Sequence, residues 1–224
     1  MTMEKDALNR LADAAQSIHV PLGEMELDLF GRYHDELITW NASMNLTALK
    51  SSLDIVVKHF IDSLTVIPFL PGSQIRLLDV GTGAGFPGIP LKIALKPLTV
   101  YLLESSRKKI SFLRQVIRLL SLEETVTLHG RAEQISLEST YKNAFDAVIS
   151  RATFQLSSWM EIGSPFLKCH GLLIAMKGSK VKEEMEEATS ASERSGLSLA
   201  GYHSLCLPLT GDIRNLLIYE KIRE

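Results

Sequence analysis

Cysteine is scarce in this chain: only Cys169 and Cys206 occur among 224 residues, in no metal-ligand spacing. So few thiols exclude a disulfide framework or a cysteine-rich zinc site, and they suit a reducing compartment. The histidines (His19, His34, His59, His129, His170 and His203) show no ligand spacing either, so no bound metal is expected. Long apolar runs are missing, none approaching the roughly 18 residues that a membrane crossing requires. The opening Met-Thr-Met-Glu-Lys-Asp lacks the basic start and apolar middle of a secretory signal, which leaves the cytoplasm as the expected compartment. Charge of one sign is absent, since 24 Lys and Arg meet 26 Asp and Glu for a net −2. A polyanionic partner would therefore have to be held by a local patch. What is present, 46% hydrophobic and 22% charged residues, is the composition of an ordinary globular protein. The length suits one α/β domain of about 150 residues with a small accessory segment.

The first part of the chain reads as helical. Leu22, Met25, Leu29, Tyr33, Leu37 and Trp40 recur at three- and four-residue steps, with Pro21 placed to set the start. Asn41 to Thr47 breaks the pattern. Val56, Phe60, Leu64 and Ile67 mark a second helix, stopped by Pro68 and Pro71. From Ile75 onward strands and helices alternate. Strands are predicted at Leu77–Val80, Thr99–Leu103, Val126–His129, Phe145–Ser150 and Leu172–Met176, as short apolar runs that suit buried parallel strands. Helices are predicted at Ile89–Leu95, from Ile110 to Leu120, at Phe154–Phe166 and at Lys180–Ser195. Leu197–Leu207 and Ile213–Ile222 flank Pro-Leu-Thr-Gly-Asp and predict an antiparallel hairpin that closes the sheet.

The most informative stretch is Ile75-Arg-Leu-Leu-Asp-Val-Gly-Thr-Gly-Ala-Gly-Phe-Pro-Gly88. An apolar strand runs into an acidic residue and then a glycine turn, the arrangement by which a parallel sheet builds a nucleotide site at its strand ends. Gly83-x-Gly85-x-x-Gly88 formally matches the dinucleotide fingerprint. Asp79-x-Gly81-x-Gly83-x-Gly85 instead matches S-adenosylmethionine methyltransferases. The dinucleotide spacing starts four residues past the aspartate, too far along for a first-turn phosphate loop. The chain also has little room for a separate hydride-transfer domain. S-adenosylmethionine is therefore the expected cofactor, with a turn used only for packing as the bland alternative. Glu104, at the end of the second strand, could accept both ribose hydroxyls in charge-assisted bonds, or simply pair with Arg107. Asp79 either fixes the turn or faces the donor's amino acid end. Phe86 either covers the donor or is a core aromatic.

Methyl transfer is an in-line displacement that gains chiefly from alignment and exclusion of water. Pyrimidine C5 methylation needs a cysteine nucleophile, and Cys169 has no suitable motif around it. The Asn/Asp-Pro-Pro-aromatic stretch of adenine amino methylation is replaced by Ser150-Arg151-Ala152-Thr153. Guanine N7 carries a free lone pair and needs neither device. Arg151 is suited to guanine O6 or a phosphate, provided it leaves N7 open, and is otherwise a strand-end ion pair. Arg107, Arg114 and Arg118 share one helix face beside Lys108 and Lys109, most simply a solvated surface. Lys177, Lys180 and Lys182 follow the fifth strand, where Lys177 beside Gly178 is the better candidate for a substrate role.

Six elements together resemble a known family: Trp40-Asn41-x-x-x-Asn45-Leu46-Thr47, His59-x-x-Asp62-Ser63-Leu64, Asp79-Val-Gly-Thr-Gly-Ala-Gly-Phe-Pro-Gly-Ile-Pro-Leu91, Arg131-Ala132-Glu133, Ser150-Arg151-Ala152 and Lys177-Gly178. Spread over about 140 residues, they are similar to the bacterial RsmG (GidB) family, which makes 7-methylguanosine in small-subunit ribosomal RNA. The resemblance implies a Rossmann-like class I methyltransferase fold, with a mostly parallel seven-stranded sheet, helices on both faces and a C-terminal antiparallel hairpin. It implies a helical extension over residues 1–72 and a methyltransferase domain over 73–224. It further implies that Gly81, Gly83, Phe86, Glu104, Ala132, Glu133 and Arg151 contact S-adenosylmethionine. Arg151 and Lys177 would serve the transfer, on 16S ribosomal RNA or the small subunit, in a protein expected to act as a monomer. Asn41, Asn45 and His59 would shape the acceptor side. Thr153 departs from the bulkier apolar residue expected after Ser-Arg-Ala, which bears on the shape of that side. A small-molecule methyltransferase and a non-catalytic ribosome-binding protein are the competing readings.

Overall fold

A computed structural model describes residues 3–151, 154–179 and 181–223; Ala152, Thr153 and Lys180, singled out above, lie outside the described residues. The chain opens with α1 (Lys5–Ser17) and α2 (Glu24–Met44). Pro21 does not set the start of α2. Gly23 takes the extended N-cap position, and the Glu26 carboxylate accepts its N–H at 3.0 Å. The helix also runs past Asn41, because that side chain does not compete with the helix backbone. It accepts the Thr47 N–H at 2.9 Å and so ties down the outgoing loop, while Asn45 ends the helix in the left-handed region at φ 50. Next comes α3 (Ser52–Ile55), a π-helical stretch (Val56–Ile61) and α4 (Asp62–Leu64) in unbroken succession. The wider π turn buries Val56, Val57, Phe60 and Ile61 together, and such turns recur where a helix must aim polar groups at a site.

The alternating part forms one sheet in the order β3-β2-β1-β4-β5-β7-β6. Strands β1 (Arg76–Val80), β2 (Thr99–Glu104), β3 (Thr125–His129), β4 (Phe145–Arg151) and β5 (Leu167–Lys177) are parallel. Strand β7 (Ile213–Lys221) runs antiparallel to β5, and β6 (Leu197–Cys206) antiparallel to β7, which is the hairpin expected from the sequence. β5 begins five residues earlier than its apolar run suggests; its extra residues include exposed Cys169 and His170, the latter at φ 63. Alternation along β1 divides the core in two. Leu77 joins a cluster with Leu11, Phe30, Phe60, Ile89 and Phe112, whereas Leu78 joins one with Trp159, Phe166 and Val181.

Helices therefore cover both faces. α5 (Gly88–Ala94) and α6 (Arg107–Leu119) share one side with the N-terminal helices. The other side carries α7 (Ala132–Ile135), α8 (Leu156–Gly163), α9 (Lys182–Glu187) and α10 (Thr189–Arg194). The single helix predicted from Lys180 to Ser195 is thus two short ones on either side of buried Ala188. Tyr33, Phe60 and Phe86 pack ring to ring at 5.4 to 6.1 Å and join the helical extension to the glycine turn. Such pairs are worth about 0.5–1.5 kcal/mol each beyond their burial.

Candidate active site

β1 and β4 are neighbours while their crossovers run to opposite sides, so a crevice opens beyond their carboxyl ends. The glycine turn fills its floor. Gly81 (φ 69), Gly83 (φ 62) and Gly85 (φ 100) all sit in the left-handed region, and the N–H groups of Gly81 and Thr82 donate to Leu103 O at 2.9 and 3.2 Å. Gly85 has a second reason to be glycine: a Cβ there would lie 2.4 Å from Ile89 Cδ1 and 2.8 Å from the Tyr33 hydroxyl. Asp79 Oδ2 accepts the Thr82 hydroxyl at 2.6 Å and the Gly88 N–H at 2.8 Å, so this carboxylate holds both ends of the turn. Burial pushes Asp79 up to about 6, against those two bonds and the field of Arg151. Its Oδ1 and the Ser150 hydroxyl, at the ends of adjacent strands, are buried with no partner among the described residues. Unpaired polar atoms at strand ends are what a polar ligand would satisfy.

Glu104 ends β2 against the glycine turn. Its Oε2 accepts the Gly83 N–H at 3.0 Å and its Oε1 the Ser106 N–H at 2.9 Å, with Lys109 Nζ at 3.9 Å. Oε2 keeps a lone pair, while Oε1 also accepts the Ser105 hydroxyl in a long contact of 3.5 Å that a ribose hydroxyl could replace. A cavity of about 380 Å³ opens beside it, lined by Gly81, Glu104, Ser105, Lys109, Ala132 and Glu133 among others. Ala132 and Glu133 begin the short α7, just beyond the end of β3. Gly83 reaches this wall only through its bond to Glu104.

Phe86 and Arg151 lie apart from that cavity's lining. The Phe86 ring is buried among Tyr33, Phe60 and His59. His59 stacks on it at 4.3 Å, and the Arg151 guanidinium lies over it at 5.1 Å. Arg151 Nη1 donates to Lys58 O at 2.8 Å and to Asp62 Oδ2 at 3.2 Å, and its Nη2 lies 3.0 Å from His59 Nδ1. His59 Nδ1 also lies 3.1 Å from Lys58 O, and its Nε2 lies 2.8 Å from the Thr47 hydroxyl. Burial, with the Arg151 charge adding to it, holds His59 down at about 3 and therefore neutral. Asn41, Thr47, His59 and Arg151 thus form one chain of contacts from the helical extension to the end of β4.

Lys177 ends β5 with its amine donating to Phe154 O and, at 2.7 Å, to Glu184 Oε2. It ties Phe154 to α9, and Phe154 itself lines the cavity beside Glu104. Arg107, Lys108, Arg114 and Arg118 are exposed along α6, and Lys182 is exposed on α9. No group of three or more His, Cys, Asp or Glu that could hold a metal occurs among the described residues. Arg214 escaped the sequence reading: it donates through Nε to Asp62 Oδ1 and through Nη2 to Asp62 Oδ2 at 2.9 Å. The available signal was topological. A last strand running antiparallel beside β5 must begin at the edge where the parallel strands end.

Comparison with known proteins names the reaction. The family model for rRNA small subunit methyltransferase G, GidB, matches residues 26–209. A ribosomal RNA small subunit methyltransferase G of Syntrophus aciditrophicus is 46% identical over 93% of this chain and 87% of its own length. One from Acetivibrio thermocellus is 39% identical over 96% of this chain and 88% of its own. Among solved structures, a SAM-dependent methyltransferase from Aquifex aeolicus superposes with TM-score 0.61 at 18% identity, covering 80% of this chain and 97% of its own. M. jannaschii TYW2 in complex with AdoMet does so at TM-score 0.54 and 20% identity, covering 68% and 70%. At such identities these two speak for the fold, a class I methyltransferase. The dinucleotide, small-molecule and non-catalytic readings fall away. The chain belongs to the GidB family of rRNA small subunit methyltransferases, which use S-adenosylmethionine to methylate guanine N7 in 16S ribosomal RNA.

Proposed function

We propose that the cavity beside Glu104 holds the donor and that the Arg151 side of the crevice receives the guanine. The observation that carries this reading is Glu104, a buried carboxylate bonded to the Gly83 N–H on one side and open to the cavity on the other. Its size, about 380 Å³, falls in the range of small-molecule sites. When bound, S-adenosylmethionine supplies a methyl group on a cationic sulfur, to which an unprotonated purine nitrogen is already a competent nucleophile. The protein's work is therefore alignment. Glu104 accepts the ribose diol, Gly81 lets the backbone come close, Ala132 leaves room for a flat base, and Glu133 offers a polar partner at its edge. Gly83 and Phe86 act from behind, Gly83 by orienting Glu104 and Phe86 by carrying Arg151. Arg151 presents a cation to guanine O6 or a neighbouring phosphate. Lys177 keeps the Phe154 segment in place on the transfer side.

With residues 1–72 supplying the acceptor wall and 73–224 the donor site, the chain acts as a monomer in the cytoplasm. No helix among the described residues is long and apolar enough to cross a membrane. Incubation with methyl-labelled donor and either naked 16S RNA or small subunits, followed by nucleoside mass spectrometry, tests the reading. Label in 7-methylguanosine is expected from wild type, with Glu104→Ala and Arg151→Gln both impaired. Full activity in both variants would reject the assignment.

A further inference from the structure

We propose that Arg214 is a positioning residue for the reaction, holding Asp62 so that Arg151 keeps its place over Phe86 and its charge toward the acceptor. This rests on the acceptor-side reading of Arg151 given above.

Asp62 is fully buried and lies between two guanidiniums from different elements, Arg151 on β4 and Arg214 on β7. The two arginines do not share it equally. Arg214 grips both carboxylate oxygens, Nε on Oδ1 and Nη2 on Oδ2 at 2.9 Å, the two-point geometry in which arginine binds carboxylate most strongly. Arg151 touches only Oδ2, at 3.2 Å, through an Nη1 that also donates to Lys58 O at 2.8 Å. Its Nη2 is spent on His59, whose ring shares the Phe86 stack. Asp62 is therefore neutralised mainly by Arg214. Both guanidiniums are about one-sixth exposed at the crevice.

Remove the Arg214 fork and a buried carboxylate is left with one long contact, which is costly. The nearest remedy is for Arg151 to turn and take both oxygens itself. That would pull it from His59 and Phe86 and cancel its charge. Arg214 thus keeps a buried anion from capturing the residue that faces the substrate. The C-terminal hairpin, far from the donor in sequence, would thereby act on the acceptor half alone.

The test compares Arg214→Gln, Arg214→Lys, Arg151→Gln and the double variant Arg151→Gln/Arg214→Gln. Each is measured for kcat and KM on 16S RNA, for donor affinity by calorimetry and for thermal melting. Misplacing a catalytic group by about 1 Å from a distance costs up to roughly 100-fold. Arg214→Gln is expected to lose at least about tenfold in kcat/KM for RNA with donor affinity within about twofold, and Arg214→Lys to recover part of the loss. Per folded molecule, counted from the melting curves, the double variant should be no worse in kcat than Arg151→Gln, because either change alone takes the Arg151 guanidinium from its place. Multiplied losses in the double variant would overturn the proposal, as would wild-type turnover in Arg214→Gln. So would a parallel fall in donor affinity and melting, the mark of a merely structural residue. A fully active Arg151→Gln would instead strike down the reading of Arg151, and the proposal with it.

Discussion

Replacing Asp79 by asparagine isolates the cost of keeping a carboxylate beneath the glycine turn. Asp79 is fully buried, and burial raises its carboxyl from 3.8 to about 6. Between about pH 4 and pH 6 the folded protein holds a proton that the unfolded chain has released. The unfolded state then binds fewer protons, so stability falls as pH rises through this window. A difference of about two pH units, at about 1.4 kcal/mol each, amounts to about 3 kcal/mol lost by pH 7. Asparagine cannot ionise, yet it keeps an oxygen for the Thr82 hydroxyl and the Gly88 N–H. Its amide nitrogen would occupy the side where Oδ1 has no partner, an offset that does not vary with pH. Urea denaturation of both proteins without donor, at pH 4, 5, 6 and 7, reads the difference directly, and other titrating groups cancel. The variant should gain on wild type by up to about 3 kcal/mol from pH 4 to pH 7. A difference that stays constant over that range would refute the reasoning, because Asp79 would then be as readily ionised in the fold as in water.

The remaining expectations address the two halves of the site. Glu104→Ala should weaken donor binding by about 1.5–3 kcal/mol, the usual loss for a charged hydrogen bond, as read by calorimetry; unchanged affinity would mean that the carboxylate faces only the protein. Lys177→Ala should reduce turnover on RNA while donor affinity changes little. An equal loss of both would show Lys177 acting through Phe154 on the donor cavity instead. Gly85→Ala combines φ 100 with contacts of 2.4 Å to Ile89 and 2.8 Å to Tyr33. It should cost roughly 2–4 kcal/mol of stability in thermal or urea unfolding.

What the sequence made readable was whatever depends on neighbours in the chain. The inner parallel strands announce themselves because a strand buried on both faces is largely apolar, and the glycines do because only they tolerate the turn. Glu104 was readable for the same reason, being fixed by its place at the end of a strand. Errors fell where a tertiary partner decided the outcome. Asn41 resembled a helix breaker until its side chain was seen to spend itself on Thr47. Phe86 was open to two readings, and which way its ring turns, toward Tyr33, Phe60 and His59 of the helical extension, is likewise a matter of tertiary partners.

The acceptor half was the least readable, and the reason is distance along the chain. Asp62 and Arg214 are 152 residues apart, and neither carries a local pattern that names the other. A short motif records backbone geometry within one turn, which is how a donor site on a glycine loop comes to be written in a dozen residues. The acceptor site proposed above would draw on the π-helical stretch of the extension, the end of β4 and the start of β7, each ordinary by itself. The family's own elements reflect that split: the glycine turn specifies the methyl donor, while His59-x-x-Asp62 and Ser150-Arg151-Ala152 gain meaning only once they touch. The extension, β4 and the hairpin thus meet at one buried carboxylate, Asp62. It follows that substitutions at Asp62 or Arg214 should alter transfer to RNA more than the grip on the donor.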